Sequence, residues 1–468
     1  MAIATTNPAT SEVVKTFDAL TESEVQDRLE RAAIAFRSYR RTSYAERSGW
    51  MRATADLLDA EADSIAALMT LEMGKTLKAA KAEVGKCASG CRYYAKHAER
   101  LLAGHDVDAA AIAATRAYVR WEPLGPVLAV MPWNFPLWQA FRFAAPALMA
   151  GNVGLLKHAS NVPQTALLME ELLRRGGFPA DVFQTLLIGS GQVEAVLRDR
   201  RVAAVTLTGS GPAGQSVAAI AGSEIKKSVL ELGGSDPFVV MPSADLERAA
   251  TVAAVARCQN NGQSCIAAKR FIVHEQVADR FEELFADALR ALVVGDPTDE
   301  GTDVGPLATE QGREDVEELV ADAVAQGARV VVGGTRPDGP GWYYPPTLLT
   351  GVTTDMRMFA EEVFGPVAQL HRVADLDAAI ELANDTEFGL GSNAWTGDPD
   401  EQERFAAELQ AGMVFINGMT TSYPELPFGG IGTSGYGREL ADLGIREFCS
   451  AKSVWVGEGA TASTAHSE

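Results

Sequence analysis

The chain has 468 residues, with 41 Lys+Arg against 62 Asp+Glu and a formal charge of −21. So acidic a chain repels phosphate backbones, which argues against a nucleic-acid binder but leaves room for a local cationic pocket. Hydrophobic residues at 47% and charged ones at 22% are ordinary globular usage, so the length predicts about three packed lobes rather than disorder.

Five cysteines, Cys87, Cys91, Cys258, Cys265 and Cys449, are too few and odd in number for a disulfide framework. The opening MAIATTNPAT has no basic and then apolar leader, so a reducing, cytoplasmic setting is expected. The most apolar stretch, 127–156, is broken by Pro132, Asn134, Pro136, Arg142 and Pro146, and no membrane span is expected. There is no HExxH and no paired CxxC, so no metal is expected.

Apolar residues recur at helical spacing through 22–100, with Thr21 and Glu24 as a capping box. Cys87 and Cys91 fall one turn apart and read as small buried residues. From 116 the texture becomes strand-like. Strands and helices then alternate: GNVGLLKHA, a helix from 163, FQTLLIGSG, a helix at 191–199, VAAVTLTGSG and a helix at 213–221. The pattern resumes with PFVVM, a helix at 245–257, KRFIVHE, a helix at 276–292, RVVVGG and a helix at 375–384. Such alternation predicts parallel βαβ units in two α/β lobes. The small, polar end GEGATASTAHSE is expected to be disordered.

Several short motifs carry chemistry. Gly209, Gly211 and Gly214 follow a strand and open a helix, where free backbone N–H groups suit a phosphate. A tight turn explains the same glycines. NNGQSC places Cys265 among turn-forming residues, and a thiol at a helix N-terminus gains acidity from the dipole. In PWNFP, prolines stiffen a loop around Asn134, whose amide suits an oxyanion donor. In ELGG, Glu231 at a strand end suits a general base or, about 20 residues after the glycine turn, a ribose ligand. EEVFGP and PFGGIGTSGYGREL each set an aromatic residue among glycines.

PWNFP, the lysine of LLKHAS, TGS, ELGG, NGQSC, EEVFGP and PFGG occur in an order that resembles the aldehyde dehydrogenase family over nearly the whole chain, from Asn7 to about Ser453. The resemblance implies an α/β fold with a Rossmann-type coenzyme domain from 1–114 and 127–236 and a catalytic domain over 237–440. It also implies a small β-ribbon from 115–126 and 441–457 that joins subunits into a homodimer or homotetramer, leaving 458–468 as the tail. Cys265 is then the nucleophile, Asn134 and the Cys265 backbone N–H the oxyanion donors, and Glu231 the base that activates water. Trp133, Lys157, Ser160, Gly209, Ser210, Gly214, Glu362 and Phe364 are the implied coenzyme contacts.

Relatives that prefer NAD often have an acid three residues after the lysine. Here that place is Ser160, so NADP is favoured over NAD. The segment KHASNVPQ and the brevity of the chain resemble the short bacterial succinate-semialdehyde dehydrogenases. A lone Arg142 on a largely apolar helix must find an anion or solvent, and Arg142 and Ser422 are expected to clamp a substrate carboxylate, with Trp138 as a wall and Phe428 lining the funnel. The alternative anion for Arg142 is a protein acid. The alternative substrates are glutarate semialdehyde or unbranched aldehydes.

Overall fold

A computed structural model describes residues 3–458, so the expected disorder of 458–468 falls, from 459 on, outside the described residues. Four sheets organise the chain. The first large sheet is built from strands Val127 and its neighbours (Pro126–Val130), Val153–Lys157, Phe183–Thr185, Ala204–Thr208 and Lys227–Glu231, all parallel. Its spatial order places Pro126–Val130 in the centre, the next two strands to one side and the last two to the other. The chain therefore reverses direction between Pro126–Val130 and Ala204–Thr208, and ligands bind outside the carboxyl ends of strands at such a switch point. Asn134, Lys157, Gly209 and Glu231 all follow or end strands on that edge.

The helices before it bury their apolar faces against this sheet. Thr21 and Glu24 make the reciprocal cap of helix Glu22–Tyr39, as the sequence predicts. Residues 3–17, in contrast, form a hairpin of Ile3–Asn7 and Glu12–Phe17 that no periodicity announces. This hairpin is tied to the coenzyme side by Glu72. Its carboxylate accepts from Thr5 Oγ1 and from the backbone N–H groups of Gln164 and Thr165, capping helix Pro163–Arg175 from a distance.

The second large sheet has seven strands. Asp236–Val240, Ala268–His274, Thr347–Thr350, Val367–Val373, Gly391–Trp395 and Met413–Ile416 are parallel, and Arg329–Val332 joins one edge antiparallel. Helices Leu246–Cys258 and Glu275–Arg290 cover it where alternation places them, whereas Glu310–Ala325 and Pro399–Glu408 lie in stretches that were not read as helices. The chain does not stay in this lobe to 440. Gly435–Tyr436 crosses back to pair with Leu230 and Glu231 at the edge of the first sheet.

The ribbon differs from the expected 115–126 and 441–457. It has three strands, Cys449–Val456, Arg116–Pro123 and His105–Val107. Pro126 already belongs to the first sheet, and Ala441–Glu447 is a helix.

Between the lobes the chain makes a turn that fixes the next residues rigidly. Asn260, Asn261 and Gly262 stand successively at φ 55°, 58° and 76°. Asn is one of the few non-glycine residues that tolerates this left-handed region. Hydrogen bonds hold the turn: Asn261 Nδ2 donates to the carbonyls of Gly74 and Pro306, both at 2.9 Å, and Asn261 Oδ1 accepts from the Gly305 N–H. Asn260 Nδ2 donates to the carbonyls of Asn134 and Gln263, and Gln263 Oε1 accepts from the Ala308 N–H. A Cβ on Gly262 would stand 2.3 Å from the Gly365 carbonyl carbon. Gly262→Ala is therefore expected to lower stability by at least about 2 kcal/mol through backbone strain and overlap. A denaturation midpoint equal to the native one would contradict this.

Candidate active site

Three loops meet at the carboxyl edge of the first sheet. The loop after Pro126–Val130 carries Trp133 and Asn134. His158 pins it: its Nε2 lies 2.7 Å from the Pro136 carbonyl, and its Nδ1 accepts from the Ala159 N–H. Burial pushes His158 down to about 4, so it serves as a neutral strut. From the other side, Glu83 on helix Leu77–Leu101 accepts from the N–H groups of Leu137 and Trp138 at 2.9 and 2.8 Å. That carboxylate caps helix Trp138–Ala150 and pairs with buried Lys75.

Asn134 is buried, with Nδ2 donating to the Gln263 carbonyl at 3.2 Å and Oδ1 unpartnered. The oxyanion candidate is thus hydrogen-bonded to the loop that carries Cys265, two residues before the thiol. Beneath that loop, Lys269 Nζ donates to the carbonyls of Ser264 and Cys265 at 3.0 and 2.6 Å and pairs with Glu362 at 3.3 Å.

Cys265 does not open a helix. It lies in the turn between Gln259–Gly262 and strand Ala268–His274, so no helix dipole assists the thiol. Burial raises it to about 12, opposed by the cationic Arg142 and Lys269. Cys87, Cys91 and Cys258 are core residues.

Glu231 ends its strand and the following glycines bring it to the thiol's loop. A Cβ on Gly234 would stand 2.7 Å from the Cys265 carbonyl oxygen, and one on Gly429, in PFGG, 2.6 Å from Glu231 Oε1. Gly429 thus leaves room for the Glu231 carboxyl, and Gly234 for the Cys265 carbonyl, rather than merely bending the chain. Glu231 is 2% exposed and neither carboxyl oxygen has a partner. Burial, then Glu439, raises its pKa well above the usual carboxylate range, against the pull of Arg142 and Arg438.

The expected clamp of Arg142 with Ser422 is not assembled. Arg142, 2% exposed, forms an ion pair with buried Glu439 and lies 4.3 Å over the Phe428 ring. A buried guanidinium takes the anion that the fold supplies. Phe428 is mostly buried and contributes to the wall of a groove that Ser422, Phe415 and Tyr423 also line. Ser422 Oγ instead accepts from Trp138 Nε1 at 3.0 Å and Lys86 Nζ at 2.6 Å.

The coenzyme candidates spread along the same edge. Lys157 is 8% exposed, and burial alone lowers its pKa. Ser160 is half-buried three residues on, its carbonyl accepting from the Ala4 N–H. Ser210 is an exposed N-cap of helix Gly211–Ser223 and makes no side-chain capping bond, and a Cβ on Gly211 would meet open space. This leaves a helix N-terminus free for a pyrophosphate. Gly209 links the turn to the Glu231 carbonyl. Gly214 is not at that opening: it is buried against Leu232, where a Cβ would lie 2.6 Å from a Leu232 methyl. Its part is close helix–strand packing. Glu362 lies against Gly233, and Phe364 stands edge-on to Trp133 at 5.7 Å. A Lys157 ammonium with no ion-pair partner among the described residues, an open helix N-terminus and the Trp133–Phe364 ring pair fit a dinucleotide.

Sequence reasoning missed Glu83, His158, Lys269, Glu439 and Lys86. Only His158, inside LLKHAS, and Glu439, inside GREL, had a motif to flag them.

The sequence profile of the aldehyde dehydrogenase family matches residues 1–454. The chain is 65% identical over 458 residues to a succinate-semialdehyde dehydrogenase (NADP+) of Mycobacterium avium (strain 104), covering 98% of this chain and 97% of that one. It is equally 65% identical over 456 residues to succinate-semialdehyde dehydrogenase (NADP+) 1 of Mycobacterium tuberculosis (strain ATCC 25618 / H37Rv), covering 97% of this chain and all of that one. The crystal structure of succinic semialdehyde dehydrogenase from Streptococcus pyogenes with NADP+ superimposes with a TM-score of 0.94 at 39% identity, covering 98% of this chain. With the switch-point edge, the thiol loop and the buried carboxyl on one side of the molecule, this chain belongs to the aldehyde dehydrogenase family.

Proposed function

We propose that the protein oxidises succinate semialdehyde to succinate with NADP+. The reading is supported by two features: the Asn134 amide bonds to the loop that carries Cys265, and the segment that begins with Glu231, whose carboxyl oxygens lack hydrogen-bond partners among the described residues, packs at Gly234 against the Cys265 carbonyl. The relatives named above support the substrate and the coenzyme.

In this reading Cys265 gives up its proton and attacks the aldehyde carbon, forming a thiohemiacetal. The second N–H of the Asn134 amide and the Cys265 backbone N–H hold the new oxyanion. Loss of one such donor typically costs about 3 kcal/mol of transition-state stabilisation. Lys157 and Glu362 hold the coenzyme ribose, Ser210 and the helix N-terminus the pyrophosphate, and Ser160 a 2′-phosphate that an acid would repel. When bound, the coenzyme would supply the acceptor for the hydride that the thiohemiacetal carbon loses on becoming the Cys265 thioester. Glu231 then takes a proton from water, which attacks the thioester and releases the acid. Its raised pKa makes the ionised carboxylate a stronger base than an ordinary glutamate. A carboxyl in this place favours hydrolysis over transfer to a thiol.

The open outer edge of strand Cys449–Val456, with Trp455 57% exposed, supports assembly into a homodimer or homotetramer, because an unpaired apolar edge invites another chain. Sedimentation is expected to give a multiple of the chain mass, and a monomer would contradict it. Initial rates with succinate semialdehyde and with butanal, each with NADP+ and NAD+, test the substrate and coenzyme together. A preference of about tenfold or more in kcat/KM for the semialdehyde and for NADP+ is expected. Equal rates for both aldehydes would instead indicate broad specificity. Glu231→Gln is expected to slow steady turnover about 100-fold while leaving the first-turnover burst of reduced coenzyme, and loss of the burst would contradict the role given to Glu231.

A further inference from the structure

Helix Leu77–Leu101 presents three residues, one turn apart, to Trp138. Glu83 accepts the Trp138 N–H at 2.8 Å. Gly90 lets the indole approach, since a Cβ there would stand 3.1 Å from the ring. Between them lies Lys86, whose ammonium sits 4.7 Å over the Trp138 ring and donates to Ser422 Oγ at 2.6 Å. Such i, i+3 and i+4 spacing puts all three on one face.

The charges around this ammonium are already committed. Glu83 is held by Lys75 and two backbone N–H groups. Glu439 is held by Arg142. Among the described residues Lys86 has no carboxylate partner, and it donates to Ser422 Oγ. The ammonium is half-buried, and burial followed by the repulsion of Arg142 brings it down to about 8. A cation kept in such a place without an anion is costly. Trp138 begins the helix that follows Asn134 and carries Arg142 one turn on, so the ammonium over its ring lies beside the segment that holds the oxyanion candidate. Ser422 and Phe428 also share the wall of one groove with Phe415 and Tyr423.

We propose that Lys86, with the Ser422 hydroxyl, is the cationic end of the substrate pocket and selects aldehydes that carry a distal carboxylate, an assignment that rests on the semialdehyde reading. The substrate carboxylate supplies the anion that the fold withholds. The ammonium has three donors, so it binds the carboxylate while Ser422, held by Trp138 Nε1, turns its own hydroxyl proton to the second oxygen. Arg142 does not compete, because Glu439 neutralises it.

The test compares kcat/KM for succinate semialdehyde and butanal in the native enzyme, Lys86→Met and Lys86→Arg. The expected result is a native preference for the semialdehyde that falls about tenfold or more in Lys86→Met, chiefly through the KM of the semialdehyde. Lys86→Arg, which keeps the charge, is expected to retain most of it. A native preference that survives in Lys86→Met overturns the assignment of Lys86 and leaves the semialdehyde reading standing. Equal loss in Lys86→Arg also overturns it, because the charge would not be what matters. No native preference overturns the semialdehyde reading itself.

Discussion

Asn260, Asn261 and Gly262 stand in succession in the left-handed region, and the reaction centre hangs from that turn. Left alone, such a run is unfavourable. Here Gly74 and Pro306 accept from Asn261 and Gly305 donates to it, Ala308 donates to Gln263 just beyond, and Gly262 fits against Gly365 where no Cβ would. Cys265 follows three residues later, with Lys269 gripping its carbonyl and Asn134 bonded two residues before it. A nucleophile and an oxyanion donor held by one network need little reorganisation when charge develops.

The same burial that fixes the groups sets their protonation. Glu231 and Glu439 are both raised, and the Cys265 thiol is held up. Arg142 moderates all three, and its pairing with Glu439 leaves it a fixed dipole more than a free cation. A neutral thiol and a raised carboxyl are poor reagents at rest and strong ones once deprotonated. The site therefore couples reactivity to proton removal, which a water-exposed Cys and Glu would not do.

The sequence was informative where chemistry is local. PWNFP, ELGG and NGQSC each hold their functional residue and the proline or glycine that shapes its loop, so Asn134, Glu231 and Cys265 were legible together with the parallel sheets. Groups that act from remote elements were not. Glu83 and Lys86 sit on a long helix with the spacing of solvated charges, and nothing near them reveals Trp138 on a neighbouring helix of the same lobe. Arg142 was rightly seen to need an anion, but the choice between substrate and Glu439 depends on a chain crossing at Gly435–Tyr436 that no local pattern specifies. Gly214 matched a phosphate fingerprint, while its surroundings give it a packing part against Leu232. The hairpin at residues 3–17 was missed because its strands are short and Glu12–Phe17 is mostly exposed, with Val13 and Val14 facing solvent, so no alternation marks a buried face.

The central claim is that catalysis passes through a covalent bond to Cys265. It is tested most directly by acid-quenching the native enzyme during turnover with succinate semialdehyde and NADP+ and mapping the acylated peptide by mass spectrometry. The account predicts a succinyl thioester on the peptide containing Cys265, absent when the coenzyme is omitted. Acylation of Cys258 or another residue, or turnover with no acyl adduct at Cys265 under conditions where hydrolysis limits the rate, would contradict it.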